Sequence, residues 1–241
     1  MELTADLRGV NGNRGTSFFQ RDKLFKMCIE TKRLRFRAWG CLSRRMRTAT
    51  VHRATSETDV SVTIALDGSG QASVETPLPF LSHMVEQIAR HGLFDLTVRA
   101  KGDVAIDGHH TTEDLAFVIG RAVAQALGDR QGLVRYGSAT LPMDEARSTV
   151  ALDLGGRPYF VVENPLTEGA VGTFDVQLEE VFFEAFARGA LANVHVVHEA
   201  GRNAHHMIEV TFKAFAKALM RATRIDPRAA GIPSTKGTLT T

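Results

Sequence analysis

The segment His109-His110-Thr111-Thr112-Glu113 recurs about a hundred residues later as His205-His206-Met207-Ile208-Glu209. A repeat at that period marks a duplicated architecture, in which one supersecondary unit packs against a second copy of itself. This constrains the chain more than any composition figure. Whatever surrounds the first motif has to be built again around the second.

The flanking patterns agree. Thr58–Leu66 alternates Val60, Val62, Ile64 and Leu66, and Asp67-Gly68-Ser69-Gly70 supplies turn chemistry before a short strand at Ala72–Glu75. Pro79 opens a helical stretch to Ile88, Leu93–Ala100 alternates again, and a helix runs from about His110 to Leu127 with Gly128 as its stop. In the second half, strands fall at Thr149–Leu154 and Tyr159–Val162 around the turn Gly155-Gly156-Arg157-Pro158. A helix at Leu178–Ala187, a strand at Val194–Val197 and a helix at Ala204–Ala222 follow. The fold class is therefore α+β, two duplicated ββαβα-type units packed as a pseudo-symmetric pair, with repeat one at about 46–135 and repeat two at about 136–241.

On a helix each residue advances about 100°. With His109 at zero, His110 sits near 100° and Glu113 near 40°, so each motif puts a carboxylate between two imidazoles. That donor set suits Mn, Fe or Zn and argues against Mg or Ca, which prefer oxygen alone. For one isolated pair of histidines the plain reading is a helix start with an acid near its positive end. Two copies with the same carboxylate spacing, using four of the nine histidines, favour metal. The apolar Leu115, Val118, Ile119 and Ala122 fall opposite the ligand face, Phe117 being the exception. The first ligand set is thus expected to face away from its own unit's core and to be covered by the other repeat or another subunit. His83, His91, His195 and His198 are further candidates for the shell, with His83 and His195 the better placed.

Pro233-Ser234-Thr235-Lys236-Gly237 lines up hydroxyls, amides and an ammonium that together suit a phosphate. It is not a Walker A loop, because no Gly-x-x-x-x-Gly precedes the lysine. Arg135 and Arg157 read either as phosphate ligands or as ordinary surface arginines.

Composition closes off other classes. The chain is 241 residues, 44% hydrophobic and 23% charged, which fits a folded core and neither disorder nor a fibre. No apolar run approaches the ~20 residues of a membrane helix. Residues 1–45 hold eleven Lys/Arg against four acids, leaving eighteen bases and twenty-three acids, a net of −5, in 46–241. That basic segment carries both cysteines, Cys28 and Cys41, and the one tryptophan, Trp39. It reads as a targeting peptide, a surface for an acidic partner, a disordered tail, or sequence ahead of a true start at Met46. With no cysteine beyond it, any metal in the body relies on histidine and carboxylate.

Over residues 46–241 the chain resembles the imidazoleglycerol-phosphate dehydratase family. The resemblance is carried by Arg53-Ala54-Thr55-Ser56-Glu57-Thr58, His83-Met84 with Gln87, His91-Gly92-Leu93-Phe94-Asp95-Leu96 and His109 to Asp114. It continues through Arg135-Tyr136-Gly137, Pro142 to Ala146, Gly156-Arg157-Pro158, Asn203 to His206 and Pro233 to Gly237. It implies a four-stranded sheet backed by helices in each half, and a cytoplasmic homo-oligomer of about 24 subunits built from trimers, with active sites between subunits. It implies a small-molecule phosphate substrate, no nucleic acid and no membrane. Two Mn²⁺ per site would be held by His83, His109, His110, Glu113, His195, His205, His206 and Glu209. Arg135, Arg157, Ser234 and Lys236 would hold phosphate, Gln87 would touch substrate, and Glu57 would serve as acid/base.

The implied reaction removes water from imidazole glycerol phosphate to give imidazole acetol phosphate. Its C–H is too weak an acid for a carboxylate alone, so the imidazole is expected to be held as imidazolate by the metal pair while Glu57 moves the proton. The chain departs from the family pattern at Ser56, where lysine is usual, and at Ser82 and Gly108, where aspartate is usual. Losing two acids beside His83 and His109 is expected to loosen the orientation of those ligands. The chain is expected to be monofunctional, without the phosphatase domain that some relatives carry. The rival readings are a metallohydrolase acting on a small phosphate ester and a non-enzymatic metal-storage or scaffold protein.

Overall fold

The computed structural model describes residues 46–239; the expectations for the basic first segment lie outside the described residues. The first half folds as β1 (Thr48–Ala54), β2 (Thr58–Ala65), β3 (Ala72–Glu75), α1 (Pro79–Gly92), β4 (Asp95–Gly102) and α2 (His109–Leu127). Its sheet runs β1-β2-β4-β3, antiparallel except for the parallel β3/β4 pair that the α1 crossover joins. The second half repeats this with β5 (Tyr136–Met143), β6 (Ala146–Asp153), β7 (Tyr159–Glu163), α3 (Leu178–Ala190), β10 (Asn193–Ala200) and α4 (Ala204–Ala222). The order is β5-β6-β10-β7, again with only the crossover pair, β7/β10, parallel. A two-residue hairpin, β8 (Ala170–Val171) and β9 (Phe174–Asp175), is added in the second half.

Each half thus opens with one more strand than the alternation pattern predicts. β1 and β5 are edge strands whose residues are mostly exposed or half-buried, so they carry no clear alternation of apolar side chains. α1 also extends past Ile88 to Gly92, where Leu93 adopts a left-handed conformation with φ 58 and closes the helix instead of starting a strand.

The helices bind the halves together. α2 covers β1 and β2 and packs on α3 of the other half; α4 covers β5 and β6 and packs on α1. Leu115, Val118, Ile119 and Ala122 are fully buried, as the helical wheel requires, while Phe117 is half-buried under the guanidinium groups of Arg53 and Arg121. Leu115, Val118 and Ile119 each contribute roughly 1.5–3 kcal/mol through burial. The α2/α3 crossing is close because Gly120 and Gly189 face it. A Cβ on Gly120 would lie 2.5 Å from the Phe186 carbonyl oxygen, and one on Gly189 would lie 2.2 Å from that of Phe117. Where α3 meets α4, Phe182, Phe183, Phe186, Phe212 and Phe215 form a chain of ring contacts at 4.8–5.4 Å.

Candidate active site

α1 reaches α4 across the boundary between the halves, and this contact builds a compact cluster. His83 Nε2 lies 3.5 Å from Glu209 Oε2, and His205 Nε2 lies 3.0 Å from the same oxygen. The three donor atoms fall within 4.8 Å of one another, the one such group of three among the described residues. Glu209 is buried, while the two imidazoles are part-exposed, at 44% and 42% of the side chain. Burial opposes the charged form of Glu209, yet the Lys213 ammonium at 2.8 Å and His205 outweigh it and hold the carboxyl below its ordinary range. A carboxylate between two imidazoles suits a first-row divalent ion. The group joins one residue of the first half, His83, to two of the second, His205 and Glu209.

Gln87 stands one turn after His83. Its amide nitrogen is 3.4 Å from His83 Nδ1 and its oxygen 3.2 Å from His91 Nε2. The predicted substrate contact thus also steadies the His83 ring with Nε2 toward Glu209.

The second histidine of each motif has a different arrangement. His110 Nδ1 is 3.0 Å from Asp103, and His206 Nδ1 is 2.8 Å from Glu145. A carboxylate on one ring nitrogen fixes the ring and directs the other nitrogen outward, the arrangement expected of an oriented metal ligand. Both imidazoles are held above their ordinary pKa, chiefly by these hydrogen bonds, and His206 in turn holds Glu145 down at about 2. Neither Asp103 nor Glu145 lies within the five-residue motif, so the motif spacing does not mark them as orienting groups. Asp103 supplies an acid to the first motif despite Gly108. At Gly108 a Cβ would meet Leu178 Cδ1 at 2.9 Å, and Asp107 accepts from the His109 N–H at 2.8 Å. Ser82 is bonded to Thr76 at 2.9 Å and makes no such contact with His83.

Glu57 sits in the β1–β2 turn, its carboxylate 3.8 Å from His110 Nδ1 and 53% exposed. Asp114 holds that turn against α2, accepting from Arg53 Nε at 2.9 Å and from the Thr58 hydroxyl. His109 is exposed, and the Glu113 carboxylate is engaged by Arg188 of α3. His195 points to the exposed face of β10 and joins neither cluster. His198 is a buried structural residue, bonded to Glu179 at 3.3 Å and to the Asn164 carbonyl at 3.1 Å.

All four predicted phosphate residues line one cleft of about 810 Å³: Arg135, Arg157, Ser234 and Lys236, with Tyr136 and Thr235. Three cations and no acid line it. Arg135 is largely committed to the frame. It grips Asp153 through Nε at 2.6 Å and Nη2 at 2.9 Å, and its Nη1 donates to the Pro233 carbonyl at 2.9 Å. Gly156, at φ +87, lets the C-terminal segment lie over its turn, since a Cβ there would fall 1.5 Å from the Leu239 carbonyl oxygen.

Among the described residues, the cationic cleft is lined by no member of the three-donor cluster and by neither Glu57 nor His110.

Residues 76–219 match the family profile described as imidazoleglycerol-phosphate dehydratase. The chain is 52% identical over 194 residues to the imidazoleglycerol-phosphate dehydratase of Gluconacetobacter diazotrophicus, covering 80% of this chain and 98% of that one. With the Polaromonas enzyme of the same name it shares 54%, covering 80% and 94%. Among solved structures, the imidazoleglycerol-phosphate dehydratase of Staphylococcus aureus aligns with a TM-score of 0.67 at 35% identity, covering 74% of this chain and 99% of that one. The Pyrococcus furiosus enzyme aligns with a TM-score of 0.68 at 32% identity, covering 78% and 99%. The metallohydrolase reading is left without support. The chain belongs to the imidazoleglycerol-phosphate dehydratase family, the carbon–oxygen lyases of histidine biosynthesis, and carries that family's activity.

Proposed function

We propose that the dehydration takes place at a centre assembled between copies of the chain, with Mn²⁺ as the resident metal. The observation that carries this reading is the His83–His205–Glu209 cluster, which offers two imidazoles and an ionised carboxylate to an ion while leaving part of its sphere open. Bound Mn²⁺ would supply Lewis acidity and a template for the substrate's imidazole. His109, His110, Glu113 and His206 complete the proposed ligand set, and two ions per site and a 24-subunit shell built from trimers are the proposed stoichiometry. A cytoplasmic location is proposed on the same family grounds.

The chain's own residues have separate tasks. Lys236, Arg157 and Ser234 bind the phosphate in the cationic cleft, and Arg135 keeps their loop in place through Pro233. This fixes one end of the substrate and reduces the entropic cost of reaching the transition state. Glu57, exposed and acceptor-capable, moves the proton at the carbon that loses it. The separation of these parts within one chain supports sites shared between subunits.

Turnover of imidazole glycerol phosphate by protein stripped of metal and then reloaded tests the reading. Ketone formation restored by Mn²⁺ and absent without metal is the expected result. Full turnover by the stripped protein, or turnover by a monomer isolated at high dilution, would refute the metal or the shared-site part respectively.

A further inference from the structure

The duplication allows the two ligand clusters to be compared residue by residue. α1 and α3 close in the same way, with Leu93 and Leu191 both left-handed at φ 58 and 52. Counting back ten residues from each gives His83 on α1 and Val181 on α3. The partners correspond too: α1 packs on α4, which carries His205 and Glu209, and α3 packs on α2, which carries His109 and Glu113. Val181 lines the same cleft as His109. The place that holds an imidazole in one cluster therefore holds an isopropyl group in the other.

The carboxylates also differ. Glu209 is held by Lys213, a neighbour on its own helix, and remains directed at His83 and His205. Glu113 is drawn to Arg188 of the opposing helix, three residues before the αL residue Leu191. At the matching place in α1 stands Arg90, which makes no such bond to Glu209. Glu180 and Glu184 line the Val181 cleft, but neither brings an oxygen into a three-donor group with His109 and Glu113 among the described residues.

We infer that the two clusters are unequal metal sites: the His83–His205–Glu209 cluster fills first and tightly, and the His109–Glu113 cluster, with Val181 opposite, fills weakly and last. This rests on the metal reading above. A missing imidazole donor should cost at least the ~10–100-fold in affinity that loss of an outer-shell partner costs. The second ion must also displace Arg188 from Glu113.

The test is Mn²⁺ titration of the intact, metal-stripped oligomer, following free Mn²⁺ by electron paramagnetic resonance without substrate. One tight ion per chain, then a second at least about tenfold weaker, is expected. Val181→His should bring the second class within a few-fold of the first, and His83→Val should abolish the tight class. Where Val181→His does not fold, anomalous diffraction from wild-type crystals with one equivalent of Mn²⁺ per chain gives the same answer, with a peak at Glu209 and none at Glu113. Two equal tight sites in the wild type, or equal anomalous peaks, would overturn the inference and leave the metal reading standing. No saturable binding would overturn both.

Discussion

Glu57 and Glu145 occupy the same point in the two halves, each one residue ahead of the second strand, and each faces the second histidine of its own motif. The distances set them apart: Glu145 closes on His206 Nδ1 at 2.8 Å, whereas Glu57 stands 3.8 Å from His110, whose Nδ1 is taken by Asp103. One duplicated carboxylate is hydrogen-bonded to its histidine, and the other stands off from it.

Substitution of the pair should separate the two roles. Glu57→Gln is expected to lower kcat by about 10²–10⁴-fold with metal content unchanged. Glu145→Gln is expected to weaken metal binding by about 10–100-fold, with turnover largely recovered at saturating Mn²⁺. Turnover by Glu57→Gln within a few-fold of wild type, measured by ketone formation, would remove Glu57 from the chemistry.

The cationic cleft predicts a binding defect. Lys236→Ala loses a charged contact to phosphate made in ground and transition states alike, so KM should rise about tenfold or more while kcat changes less. Inorganic phosphate should compete with substrate in the wild type and weakly in the variant. A lower kcat at unchanged KM would place Lys236 elsewhere in the reaction.

Buried His198 predicts a pH dependence of stability. Burial disfavours its charged form, but the Glu179 carboxylate and the Asn164 carbonyl outweigh this and raise its pKa above the ordinary 6.5. Stability from the pair is therefore fully present below about pH 6.5 and is lost as pH rises through the raised value. The Tm difference between wild type and His198→Gln should narrow from pH 6 to pH 9. Parallel Tm profiles would show that His198 does not titrate against Glu179.

Gly120 tests the helix crossing. Alanine is intrinsically better in a helix by about 1 kcal/mol, yet Gly120→Ala would push a methyl into the Phe186 carbonyl and the Ala190 amide nitrogen at 2.5 and 2.7 Å. Net destabilisation of about 1–3 kcal/mol is expected in denaturant unfolding. A stabilised variant would mean that α2 and α3 cross less closely than described.

Much of this protein is determined by sequence alone. The repeated motif establishes the duplication, and hydrophobic period places the helices and the inner strands β2, β4, β6 and β10, because their side chains face a core on a regular schedule. The edge strands β1 and β5 leave no such trace, since they bury little and are stabilised by pairing with a neighbour. The same limit applies to the site. The sequence identifies His83, His205 and Glu209 as ligand types, but only the α1/α4 crossing brings a residue of the first half against two of the second. It presents Arg135 as a phosphate ligand, and only the fold shows its guanidinium held by Asp153 and Pro233. Asp103 and Glu145 gain their orienting roles, and Val181 its place opposite His109, from contacts between segments far apart in the chain. Local pattern determines what each segment is; which donor meets which is decided by how the two halves pack, and that packing is a property of the whole folded chain.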